Sequence, residues 1–340
     1  MRGSTDLLDD RYRVLSVLAA GGSSVVYLAH HARLGRQVAI KVLRPELFGE
    51  QSDVEGYLEE ARIIAGLDHQ NILTVFDVGR LPDRRPYIVM EYVAGQSMSR
   101  LLEGGQVLPI DVALDVFEQV AAGLGHAHRH GVVHRDVKPA NILIRQRTTG
   151  RPVAKVADFG IASVARGSDR AHEAAWVGTP QYMSPEQATG APVVPASDLY
   201  SLGVVMYRAL SGHRLFPGDQ PVVLAQHHRR TAPRPLRELS PHLDIPPSLE
   251  AVVMRCLAKA PADRYPSAAA LLEDLQRVRI ETLGARVVSQ DGSIEPLAMS
   301  TSPASDLARG RTPPSLSWPL ALGGSTLFVT GVGLGMWLGW

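Results

Sequence analysis

One stretch, His134-Arg135-Asp136-Val137-Lys138-Pro139-Ala140-Asn141, constrains the chain more than any other. It lies between a segment of helical apolar periodicity, Leu108 to Arg129, and a short apolar strand pattern, Ile142 to Arg145. Asp158-Phe159-Gly160 follows further on. Together these residues put a base, a cation and two metal-binding side chains on two nearby loops.

Such a set suits phosphoryl transfer from a magnesium nucleotide, in which a protein contributes mainly positioning and charge neutralisation. The Asp136 carboxylate suits orienting and deprotonating an attacking hydroxyl, and Lys138 can reach the phosphate under attack. Asn141 and Asp158 supply the hard oxygen ligands that magnesium prefers, with manganese as a second possibility. A polar surface loop is the plain alternative. The stretch resembles the catalytic loop H-R-D-x-K-P-x-N of the protein kinases, with the DFG segment in its expected order after it.

Tyr12 to Leu18, Val25 to His30 and Gln37 to Leu43 read as strands separated by glycine-bearing turns. The first turn, Ala19-Ala20-Gly21-Gly22-Ser23-Ser24-Val25-Val26, is small-sided, so its amides could approach phosphate oxygens closely. It departs from the kinase G-x-G-x-x-G-x-V loop, with Ala19 and Ser24 at the first and third glycines, and an ordinary hairpin turn fits it as well. In Val38-Ala39-Ile40-Lys41, alternation turns Ala39 and Lys41 to one face. Ala39 would leave room for a flat base, and Lys41 would reach the α- and β-phosphates. The amphipathic segment 51–67 offers two carboxylates. Glu60 lies one turn from Tyr57 and Ile64 at the edge of the apolar stripe, so it is the expected Lys41 partner, whereas Glu59 falls on the solvent side. Leu73 to Val78 and Tyr87 to Tyr92 read as strands. The resemblance makes Met90 to Val93 a hinge whose Glu91 and Val93 backbone groups would bond adenine. It also puts Leu18, Gly21, Gly22 and Val26 around the nucleotide and Leu143 beneath it.

His126, His128, His130 and His134 are close in sequence, but no cysteine or carboxylate cluster completes a metal site, and the family pattern accounts for His128 and His134 as packing residues. Gly178-Thr179-Pro180 and Ser184-Pro185-Glu186 would bound the activation segment, and Thr179 with Lys138 implies serine or threonine acceptors. Upstream of Gly178 that segment has only Ser163 and Ser168 as hydroxyl residues, and Ala171-His172-Glu173-Ala174 stands where related kinases carry phosphorylated threonines. Glu173 is thus a candidate to pair with Arg135 in place of a phosphate, with one charge against about 1.5 to 2; a solvated loop charge is the alternative. The resemblance implies that Asp198 holds the catalytic loop and that Arg264 pairs with Glu186.

The resemblance covers residues 11 to 278 and identifies the chain with the Hanks-type, eukaryotic-like serine/threonine protein kinases of bacteria. It implies an α+β, bilobal kinase fold, with a β-rich N-lobe over 11–92 and a helical C-lobe over 96–278, after an N-terminal tail at 1–10. Residues 279–318, rich in Ser, Thr, Pro and Gly towards their end, read as a flexible juxtamembrane linker. Residues 319–340 carry no charge and, as a helix, span about 33 Å, enough for a bilayer core of roughly 30 Å. Trp318, Trp337 and Trp340 suit its interfaces, and Arg309 and Arg311 place the kinase side in the cytoplasm of a single-pass inner-membrane protein. An end at Trp340 reads as a tail anchor or as a truncated longer frame. Gly331, Gly335 and Gly339 offer a helix-packing face for a homodimer.

A formal net charge of +1 gives no sign of nucleic-acid binding, and the single cysteine, Cys256, excludes an intrachain disulfide. The expected partners are therefore Mg-ATP, protein substrates and a lipid bilayer. Two rival readings stay open: a membrane-anchored pseudokinase, favoured by the altered glycine loop, and a small-molecule phosphotransferase of the same fold, opposed by Thr179, Ser184-Pro185-Glu186 and Arg264.

Overall fold

Apolar residues between Tyr12 and Leu43 fold as antiparallel strands, the one from Arg36 to Leu43 burying residues on both faces while the one from Tyr12 is largely exposed beyond its first residue. The computed structural model describes residues 7–8, 11–22, 24–44, 51–148, 150–159 and 180–290. A short strand β1 (Leu7–Leu8) precedes β2 (Tyr12–Ala20), β3 (Ser24–His31) and β4 (Arg36–Leu43). Helix α1 (Gln51–Ala65) then leads to β5 (Val75–Arg80) and β6 (Pro86–Glu91), completing a six-stranded sheet in the order β1-β2-β3-β4-β6-β5. Val38, Ile40 and Val42 join Tyr12, Tyr87 and Val89 in a small core on one face. Ala39 and Leu43 face the main core on the other, with Tyr57, Leu58, Ala61 and Ile64 of α1.

A second, three-stranded sheet is formed by β7 (Gln96–Ser97), β8 (Ile142–Arg145) and β9 (Val153–Val156). The β8–β9 hairpin has the bounds its sequence indicates, whereas β7 is too short to show a period and was not expected. Between Ser97 and Pro139 run α2 (Met98–Leu101) and α3 (Ile110–Arg129), and Ser97 caps α2 through a bond from the Arg100 N–H. Gly95 is required at the crossing, since a Cβ there would overlap the Ile144 carbonyl.

The helical part continues with α4 (Pro185–Thr189), α5 (Pro195–Ser211), α6 (Pro221–Arg230), α7 (Leu236–Leu239), α8 (Pro247–Cys256) and α9 (Ala268–Gln290). α5 is almost wholly buried. Gly203 lets it approach α8, where a Cβ would stand 2.7 Å from the Cys256 Cβ. α9 corrects one expected boundary: residues 279–290, read as linker, continue the helix. Its Arg279 reaches Asp115 and Glu118 of α3, each at 2.6 Å, so α9 is docked beyond Val278. Among the described residues no helix is long and apolar enough to cross a membrane, and residues 319–340 lie outside them.

Candidate active site

The loop 134–141 is held from below by one buried carboxylate. Asp198, on the first turn of α5, accepts bonds from the His134 N–H at 2.7 Å and the Arg135 N–H at 2.8 Å, and lies 2.8 Å from His128 Nε2. Arg135 takes a positive φ of 66°, a conformation most side chains avoid, and the Asp198 bond holds its amide there. His134 is fully buried. It packs on Phe159 with ring centroids 4.5 Å apart and lies 3.0 Å from the Ala157 carbonyl, tying this loop to the one that carries Asp158.

Above that anchor the polar groups converge. The Lys138 ammonium lies 2.7 Å from Asp136 Oδ2. The Asn141 amide nitrogen donates to the same oxygen at 3.0 Å and to the Asp136 carbonyl at 2.8 Å. With that nitrogen engaged on Asp136, Asn141 Oδ1 is the atom that could bind a metal, and Asp158 could add a carboxylate from the adjoining loop. This donor set of hard oxygens fits magnesium. Asp158 also adopts a positive φ, 57°.

Lys41 is placed on the face expected of it. Val26 stands directly across from it on β3, and Ala39 lies opposite Leu28 on one side and Met90 on the other. Its partner differs from expectation. Lys41 Nζ pairs with Asp158 Oδ1 at 2.8 Å, and the Lys41–Glu60 pair is not formed in this structure. Burial raises the Asp158 carboxyl, but Lys41, with His134 and Lys138, outweighs it and leaves the carboxyl below the usual range. Glu60 Oε2 is buried without a hydrogen-bond partner. Burial pushes the Glu60 carboxyl up, opposed by Arg135. Neighbouring Tyr57 is raised too, by burial and then by Asp158 and Glu60. The physical reason is that Asp158 takes the Lys41 ammonium, while the charged neighbour felt by Glu60 is Arg135.

The remaining predicted residues lie on β2, on the turn after it, at the end of β6 and on β8. Leu18, at an irregularity in β2, is 43% exposed, and the Gly21 N–H bonds the Ser24 carbonyl at 2.9 Å to close the turn beside Gly22. At the hinge the Glu91 N–H is bonded to the Thr74 carbonyl, and the Val93 carbonyl accepts from the Gly95 N–H. Leu143 packs half-buried against the main core. Sequence reasoning missed Lys155, whose ammonium pairs with Glu91 at 2.8 Å and fixes the hinge to β9. It also missed Gln187, whose amide donates to the Arg135 carbonyl at 2.7 Å. No spacing announces either, since both depend on tertiary approach. The expected Arg264–Glu186 pair is formed at 2.8 Å, both partners buried. Among the described residues no three His, Cys, Asp or Glu side chains form a metal-binding group, although His126 packs near His69 and His130. Gly160, Glu173 and Thr179 lie outside the described residues.

This geometry agrees with what comparison finds. A family model described as "Protein kinase domain" matches residues 12–275. The chain belongs to the protein kinase family. The serine/threonine-protein kinase PknB of Mycolicibacterium smegmatis is 42% identical over 276 residues, 80% of this chain and 43% of that protein. PknB of Mycobacterium tuberculosis is 40% identical over 313 residues, 90% of this chain and 49% of that protein. The chain thus spans less than half the length of these kinases. Among solved structures, the Mycobacterium tuberculosis PknI kinase domain superposes with a TM-score of 0.64 at 28% identity, covering 84% of this chain and all of that one.

Proposed function

We propose that the chain is an ATP-dependent serine/threonine protein kinase that transfers the γ-phosphate of Mg-ATP to protein hydroxyls and phosphorylates itself. The observation that carries this reading is the convergence of Lys138 and Asn141 on Asp136, with Lys41 and Asp158 paired across from them. In this assignment Asp136 accepts the proton of the attacking hydroxyl and Lys138 neutralises charge on the phosphoryl group in flight. Lys41 holds the α- and β-phosphates once it leaves Asp158. Magnesium, or manganese in its place, neutralises the phosphates when bound, and Asn141 and Asp158 are the residues that would hold it. Leu18, Gly21, Gly22, Val26, Ala39 and Leu143 enclose the nucleotide, with Glu91 and Val93 offering backbone groups to the base. Glu60 takes Lys41 in the catalytic arrangement.

Residues 319–340 anchor the kinase in the inner membrane with its catalytic part on the cytoplasmic side, supported by their lack of charge and by the basic residues before them. The test is phosphate incorporation from labelled ATP by the full chain with magnesium, against Asp136→Asn. Incorporation into protein serine and threonine that falls at least about 10³-fold in the variant is expected, within the range that general-base loss produces. Nucleotide binding without incorporation would favour the pseudokinase reading.

A further inference from the structure

A groove of about 300 Å³ opens between α4 and α6, with Pro261 at one edge. The groove is shallow and open to solvent along its length. Arg229, Arg230 and Lys259 line it together with Pro185 and Glu186 of α4. Its charge is one-sided. Glu186 is already taken by Arg264 at 2.8 Å. Arg229 and Arg230 are exposed at the end of α6, and neither they nor Lys259 make an ion pair among the described residues. The Lys259 ammonium has only the Tyr200 hydroxyl at 3.4 Å and the His227 carbonyl at 3.5 Å, and lies over the Phe216 ring. Burial, and then Arg264, lowers it to about 8, as expected of an ammonium that lacks a counter-charge.

The groove adjoins the transfer site through a single short helix. Pro185 and Glu186 form its wall, while Gln187 on the same helix donates to the Arg135 carbonyl beside Asp136. A five-residue helix is about 7.5 Å long, so a chain crossing the groove lies within a few residues' reach of the acceptor position. We propose that this groove takes an acidic stretch of the protein substrate, so that the kinase prefers acceptors with carboxylates nearby in sequence. The proposal rests on the protein-kinase reading of the site. Long-range attraction of this kind acts mainly on substrate association and is weakened by salt.

The test compares the full chain with its Arg229→Glu/Arg230→Glu variant on dephosphorylated casein, which is acidic, and on myelin basic protein. The expected result is a KM for casein raised about tenfold, with kcat within twofold, and no rise in KM for the basic protein. Equal change on both substrates, or on neither, overturns it. A second arm needs no catalysis: a labelled hexaglutamate peptide is titrated by anisotropy against Asp136→Asn full chain, with and without the two reversals. At least tenfold weaker binding in the reversed form is expected. Unchanged peptide binding overturns the proposal. So does displacement by inorganic phosphate as effective as by unlabelled peptide, and so does loss confined to phosphatidylglycerol vesicles, which would assign the groove to the membrane. Should the unmutated chain phosphorylate neither protein nor itself, the kinase reading fails and the anisotropy alone decides the groove.

Discussion

At the scale of single residues, the informative conflict is over Lys41. Its ammonium is held by Asp158, while half-buried Glu60 keeps its Oε2 without a hydrogen-bond partner and its carboxyl is raised by burial. A carboxyl raised on folding favours the folded state fully below its ordinary value of 4.5, and that contribution is lost as pH rises through the raised value. Ionised Glu60 therefore costs stability at neutral pH in this arrangement. Glu60→Gln is expected to match or exceed the unmutated chain in urea midpoint at pH 7, with the difference closing towards pH 4. Its kcat/KM should nevertheless fall at least about tenfold, the equivalent of about 1.4 kcal/mol, if Glu60 takes Lys41 during catalysis as proposed. A variant equally active, or destabilised alike at both pH values, would sink this account. The meeting of Lys138 and Asn141 at Asp136 was legible because the three sit within six residues of one motif. Which carboxylate Lys41 takes was not, since it depends on how α1 packs, and the left-handed turns at Arg135 and Asp158 leave no mark in side-chain pattern.

Among the elements, α4 and α5 carry the contacts that convert helical packing into loop geometry. Arg264 donates to the carbonyls of Ala196, Ala258 and Lys259 while pairing with Glu186, so one guanidinium joins α4, α5 and the end of α8. Removing one member of such a buried pair strands the other, and Arg264→Ala and Glu186→Ala are each expected to cost about 3 to 5 kcal/mol in urea unfolding. A joint apolar replacement should cost less than the two added together; full additivity would show that the pair acts through separate neighbours. At Gly203 a methyl group has nowhere to go against Cys256, so Gly203→Ala should lower stability by about 1 to 3 kcal/mol, read from the same unfolding curves. The Arg264–Glu186 pair was legible from the family pattern. The continuation of α9 to Gln290 was not, because regular periodicity fades from Glu281 on, while the Arg279 pairs with Asp115 and Glu118 depend on tertiary approach.

For the whole molecule, stability against acid follows from a histidine the catalytic site does not use. His228 on α6 is fully buried, with its Nδ1 2.9 Å from the Tyr200 hydroxyl and its ring edge-on to Phe216. Burial, and then the Lys259 ammonium, push it down from 6.5 to about 3, with neighbouring His227 adding to the same direction. The folded chain thus keeps this ring neutral where the unfolded chain protonates it. A depressed histidine contributes stability that is present above about 6.5 and is lost as pH falls towards 3. Between pH 7 and pH 5 the loss from this one group is about 2 kcal/mol. Other groups titrate over the same interval, so the comparison that isolates it is with His228→Gln, which has no proton to take up. The urea-derived stability of that variant should fall by about 2 kcal/mol less between pH 7 and pH 5 than that of the unmutated chain, whatever its absolute value. Parallel losses in the two proteins would mean that His228 is already charged in the fold, which its burial beside Lys259 opposes.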